Sequence, residues 1–135
     1  MMLFLGATAL TLPPAVAGQD FTCPRAVITT QTTKDFPTNQ HAGQDTTPRR
    51  LFDVSMAYAD GISSREDYER NLPNGRVKYT WDLNAVVERR PWFVRCEYQQ
   101  TNILLLIPVP ETLKLCSTTQ KDGPNRDVEN IMHCK

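Results

Sequence analysis

The chain has 135 residues, with 15 Lys and Arg against 15 Asp and Glu, a formal net charge of zero and a mean hydropathy of −0.43. One domain is the expectation at this length, with a core modest enough for cross-links to matter. The balanced charge argues against nucleic acid, which demands a basic face, and equally against a strong binder of anionic membranes.

Residues 1–12 carry no charge and are mostly apolar; Pro13 and Pro14 then break any helix, and Ala15-Val16-Ala17 supplies the small residues of an A-x-A cleavage site. Residues 1–17 therefore read as a secretory signal peptide, and 18–135 as a single β-rich domain that is periplasmic or secreted. No Lys or Arg precedes the apolar stretch; a translation start further upstream would supply them. A buried N-terminal helix or strand fits less well, because the chain turns polar straight after Ala17. The apolar run is shorter than the ~20 residues that span a bilayer. Asp20-Phe21-Thr22 ahead of Cys23 lacks the small apolar residues of a lipidation site, so no membrane anchor is expected.

Next come the strands. Residues 25–32 are rich in β-branched side chains and read as a first strand. The polar stretch 33–50, with Pro37, Gly43 and Pro48, is a long loop. Residues 51–59 alternate, placing Phe52, Val54, Met56 and Tyr58 on one face and Asp53 and Ser55 on the other. Asp60-Gly61 ends that strand. Ser63 and Glu66 have capping-box spacing, which predicts a short, solvated helix over 64–71, and Pro73-Asn74-Gly75 is a turn.

The second half continues in strands. Residues 76–83 put Val77, Tyr79, Trp81 and Leu83 inward; 92–99 put Trp92, Val94, Cys96 and Tyr98 on one face. Residues 103–107 are apolar without a break, which predicts burial on both sides. Residues 112–119 and 128–134 complete the set. The fold class expected is mostly β: an antiparallel meander sheet, as a sandwich or half-barrel, with one short helix.

Cys23, Cys96, Cys116 and Cys134 all follow the leader and are even in number, which in an exported chain reads as two disulfides. Their dispersed spacing argues against zinc, so no metal site is expected. Cys116 and Cys134 sit symmetrically about the 123–127 turn, where a hairpin would bring them face to face; Cys23 to Cys134 with Cys96 to Cys116 is the rival pairing, and both stay open.

The ordered pieces Cys23-Pro24, Tyr58-x-Asp60-Gly61, the Trp81 strand, Trp92…Cys96-x-Tyr98, Leu113…Cys116 and Val128…Ile131…Cys134 resemble a family of small exported Gram-negative bacterial proteins of unassigned function. The resemblance implies a periplasmic or secreted β domain and no activity. It departs at 65–70, where a variable, proline-rich link would be expected.

No catalytic set stands out. His41, near Asp45, invites a small hydrolase, but no G-x-S-x-G or similar nucleophile turn exists. Carboxylate pairs such as Asp60 with Glu66, or Glu88 with Glu97, would need a sugar cleft that a domain this small rarely builds. No cofactor is expected.

The segment Glu88-Arg89-Arg90-Pro91-Trp92 joins two strands. Paired arginines bind carboxylates bidentately, and Arg and Trp dominate interface hot spots. Arg89, Arg90 and Trp92, with Arg49 and Arg50 at the end of the long loop, are therefore the candidate partner-binding residues. The plainer reading leaves the arginines solvated and puts Trp92 in the core, since it shares a face with Val94 and Tyr98. The function expected is a non-enzymatic binding module, an inhibitor or immunity-type protein against a periplasmic hydrolase, with a protein partner. The alternative is a small-ligand-binding β domain with a cavity lined by Tyr79, Trp81 and Leu105; a hydrolase using His41 comes third.

Overall fold

The computed structural model describes residues 18–29, 47–84 and 91–135. The leader, His41, most of the long loop and the Arg89–Arg90 tip lie outside the described residues.

Among the described residues, ten strands form two antiparallel sheets. The first sheet contains β1 (Gln19–Thr22), β10 (Ile131–Cys134), β8 (Leu115–Lys121), β5 (Arg76–Asp82) and β4 (Tyr68–Asn71) in that spatial order, with β9 (Asp127–Val128) also paired to β8. The second runs β2 (Ala26–Val27), β3 (Arg49–Ala57), β6 (Phe93–Tyr98) and β7 (Leu104–Pro108). Hairpins β4–β5 and β6–β7 join sequence neighbours, while the connection from β5 to β6 passes from one sheet to the other. The result is a sandwich. Alternation supplies its filling: Val54 and Met56 from β3 and Val94, Cys96 and Tyr98 from β6 face Trp81, Cys116, Met132 and Phe21 of the first sheet.

Both disulfides form, as Cys23–Cys96 and Cys116–Cys134. The second joins directly opposed residues of β8 and β10, so the face-to-face pairing holds. The first ties the end of β1 to the middle of β6, from one sheet to the other. Around it, the Tyr98 hydroxyl donates to the Pro24 carbonyl at 2.7 Å and the Asn130 amide to the Cys23 carbonyl at 3.2 Å.

Four local expectations need correction. No α-helix covers 64–71. Tyr68–Asn71 is instead strand β4, paired with Val77 to Thr80 of β5. Asn74 and Gly75 take φ of 66° and 72° after Pro73, which Asn and Gly adopt at least cost, and the Leu72 amide closes on the Arg76 carbonyl at 2.7 Å. An eight-residue helix is too short to stand on capping alone, and the hairpin offers alternate amides a partner on β5.

The first strand also lies elsewhere. β1 precedes residues 25–32, where only Ala26–Val27 is paired, and residues 30–32 are outside the described set. Residues 103–107 are not buried on both faces. β7 is an edge strand among the described residues: Leu105 and Ile107 pack on the core, while Leu104 and Leu106 lie half-exposed on the outer face. The turn at Gly61 (φ +82°) folds over them, and a Cβ there would meet the Leu106 and Leu104 methyls at 3.6 and 3.8 Å. Finally, a bulge between Leu51 and Asp53 breaks the alternation of β3, and Phe52 is 40% exposed rather than inward.

Candidate functional site

Of the candidate binding residues, the described ones, Arg49, Arg50 and Trp92, fall at two ends of the second sheet. β3 and β6 run antiparallel, with Ala57 opposite Phe93 and Leu51 opposite Tyr98. Trp92 therefore sits at one end of this ladder and Arg49 and Arg50 at the other, roughly 23 Å apart for the seven residue steps from Trp92 to Gln99, whose amide donates to the Arg50 carbonyl. They do not make one compact patch.

At the first end, Trp92 is buried and its ring packs at 5.1 Å from that of Tyr58. Its indole N–H donates to the Leu83 carbonyl at 3.2 Å. Leu83 and Trp92 are both core residues, so this bond closes the neck of the segment that carries Arg89 and Arg90. Trp92 is thus a core residue, as the plainer reading expects.

At the other end, Arg49 donates to the Gln100 side chain at 2.8 Å and Arg50 is exposed. Here the structure brings in a residue the sequence reading missed. Arg126, from the β8–β9 turn, lies over the Phe52 ring at 4.6 Å. It donates to the Phe52 carbonyl at 3.1 Å and to the Asp53 carboxylate at 3.2 Å, and it also reaches Asp122 at 3.3 Å. Burial pushes the Asp53 carboxyl above its ordinary range; Arg126 pulls against that, and Glu97 adds to it. The bulge that turns Phe52 outward carries no sequence signature, so this contact between residues 74 positions apart was not readable.

A second charged group sits on the outer face of the first sheet. His133 bridges Asp20 through Nδ1 at 2.8 Å and Glu129 through Nε2 at 2.6 Å. The Glu129 hydrogen bond, with Asp20 assisting, raises the imidazole above its ordinary value despite partial burial. This joins β1, β10 and the turn before β10. Among the described residues no cluster of His, Cys, Asp or Glu could hold a metal ion, and no helix is long and apolar enough to cross a membrane.

Of the three residues expected to line a small-ligand cavity, Leu105 is not in the wall of the cleft that holds Tyr79 and Trp81. Leu105 packs against the core. Tyr79 and Trp81 instead line a polar cleft of about 410 Å³ with Ser55, Ser64, Glu66 and Gln120.

Residues 57–135 match the family model described as the Type VI secretion system Tli immunity protein. The match runs from the end of β3 to β10 and contains the 84–91 segment, three of the four cysteines and Trp92. No curated protein and no solved structure matches the chain.

Proposed function

The chain belongs to the Type VI secretion system Tli immunity protein family, and on that premise we propose that it acts in the periplasm, after loss of residues 1–17, holding a secreted hydrolase effector through the Arg89–Arg90 loop. As a family of immunity proteins, it works by binding an effector protein and not by catalysis. The resemblance to exported proteins of unassigned function is corrected in this respect: the family has an assigned role. The family match is the observation that carries the reading.

Three features support the finer parts. Two disulfides suit an oxidising compartment, which agrees with the leader. The neck bond from Trp92 to Leu83 fixes where the 84–91 loop leaves the sandwich, and a fixed base lowers the ordering cost of binding. Adjacent arginines have the geometry to engage the carboxylates of a hydrolase cleft. Arg49 and Arg50, at the far end, would meet only a partner that covers the whole edge of the second sheet; a standard interface of roughly 800 Å² per partner is large enough for that.

The test is inhibition of the purified cognate effector by the wild-type protein and by Arg89→Ala with Arg90→Ala. The wild type should abolish activity near one-to-one stoichiometry and the double variant should need a large excess. Equal titration curves would remove the loop from the interface, and no inhibition by the wild type would remove the reading itself.

A further inference from the structure

The polar cleft between the two sheets has walls from three places. Asp53, Val54 and Ser55 come from β3, residues 63–66 from the segment that follows its turn, and Tyr79, Trp81 and Gln120 from the first sheet. Those walls are fastened to one another. The Ser64 amide donates to the Met56 carbonyl at 2.8 Å, the Trp81 indole to the Ser64 carbonyl at 2.9 Å, and the Tyr58 hydroxyl meets the Ser64 hydroxyl at 3.0 Å. The cleft is therefore preformed, at a volume of about 410 Å³, within the range of ligand-sized sites.

Its chemistry selects a cation. Two carboxylates, Asp53 and Glu66, line it together with the rings of Tyr79 and Trp81. Carboxylates accept from a guanidinium or ammonium, and aromatic faces attract the same charge. On the first-sheet side the surroundings share this sign: burial holds the Tyr79 hydroxyl above its ordinary range, with Asp122, Glu69 and Glu66 adding to it, while Arg126 and Arg95 act on Asp53 from the other side. Arg65 is the one cation in the lining, and it is exposed. Arg126 engages Asp53 through Oδ1 alone.

A second observation is independent of charge. Ser55 is 6% exposed, its hydroxyl is buried with no hydrogen-bond partner among the described residues, and the residue belongs to the wall of the same cleft. A buried hydroxyl without a partner costs stability, and a donor entering the cleft would satisfy it.

Resting on the immunity reading above, we infer that this cleft is the anchor pocket for one Arg or Lys side chain of the effector, held by Asp53, Glu66 and the Ser55 hydroxyl against Tyr79 and Trp81. A small apolar ligand is a poor occupant because the lining is mostly polar, whereas such sites are mostly apolar. Anions are opposed by the two carboxylates. The Ser64 wall is tied through the Tyr58 hydroxyl to the ring that packs on Trp92, and the carboxylates of the pocket add a contact opposite in sign to that of the Arg89–Arg90 loop.

Calorimetric titration of the purified cognate effector against variants tests this. Glu66→Gln and Asp53→Asn should each weaken binding, and the double variant by about thirtyfold or more, as for loss of a hot-spot contact. Ser55→Ala is the control for folding: it should weaken binding while leaving the melting temperature unchanged or raised, since it removes an unpaired buried group. A merely structural residue would not give those opposite signs. Arg65→Glu, which removes a cation from the wall of the pocket, should tighten binding. If the double variant and Ser55→Ala bind like wild type, the pocket is not an anchor, although the protein remains an inhibitor. Should Arg65→Glu abolish binding, the pocket takes an anion and the inference is overturned. A wild type that binds no effector overturns the immunity reading instead.

Discussion

The two disulfides sit in different mechanical settings. Cys116–Cys134 joins opposed residues of β8 and β10 that the first sheet already holds in register. Cys23–Cys96 joins two sheets that share no ladder among the described residues, helped by the Tyr98 hydroxyl and the Asn130 amide on either side. One cross-link duplicates an interaction and the other stands where backbone pairing is missing. Sheet-to-sheet attachment is thus the point at which this small domain depends on covalent chemistry.

Removing the bridges should separate the two cases. The cross-sheet pair encloses 73 residues and the within-sheet pair 18. Loop-closure entropy then gives about 4 kcal/mol for the first and about 3 kcal/mol for the second. Replacing Cys23 and Cys96 together by Ala should therefore shift the urea midpoint further than replacing Cys116 and Cys134. The excess should grow beyond the entropic difference if the sheets also part. A larger loss from the within-sheet pair would mean that the first sheet's ladder is weaker than its register implies.

A smaller effect is expected where the first sheet connects to the second through the neck. Trp92→Phe keeps a ring against Tyr58 but leaves the Leu83 carbonyl without its indole donor. An unpaired buried acceptor costs about 1–3 kcal/mol. Stability should fall by that amount, and inhibition of the effector should weaken further because the base of the 84–91 loop is loosened. Loss of stability alone, with inhibition matching wild type at a temperature where both are folded, would show that the neck is structural only.

The same contrast explains what could be read without coordinates. Strands whose side chains alternate between core and solvent were legible, because burial imposes the period: Tyr79 and Trp81 in β5, and Val94, Cys96 and Tyr98 in β6, turn the expected way. The even cysteine set was legible too, but its pairing was not, since it depends on which strands adjoin. Failure came where a long-range partner overrides local pattern. The capping spacing of Ser63 and Glu66 lost to the β5 ladder, the apolar run at 103–107 became a sheet edge, and the bulge at Phe52 inverted one face. The anchor cleft had no signature at all, because Ser55, Glu66, Tyr79 and Gln120 meet only through the packing of both sheets.

The smallest expected effect concerns the first sheet's outer edge, where β1 is held without a cross-link to its neighbour β10. His133 bonds to Asp20 of β1 and to Glu129, and these carboxylates raise its pKa above the ordinary 6.5. A raised folded-state value means that the imidazolium stabilises the fold fully below about 6.5. That contribution is lost as the pH rises through the higher folded value. The group is nearly half exposed, so the effect is local and screened by salt. Amide exchange across β1 should thus show greater protection in wild type than in His133→Asn at pH 6, with the gap narrowing by pH 9 and shrinking in high salt. The midpoint unfolding of the whole domain should barely respond. If protection in β1 differs between the two proteins by the same factor at both pH values, β1 is held by its ladder with β10 alone, and the contrast between charged edge and covalent sheet junction loses its third case.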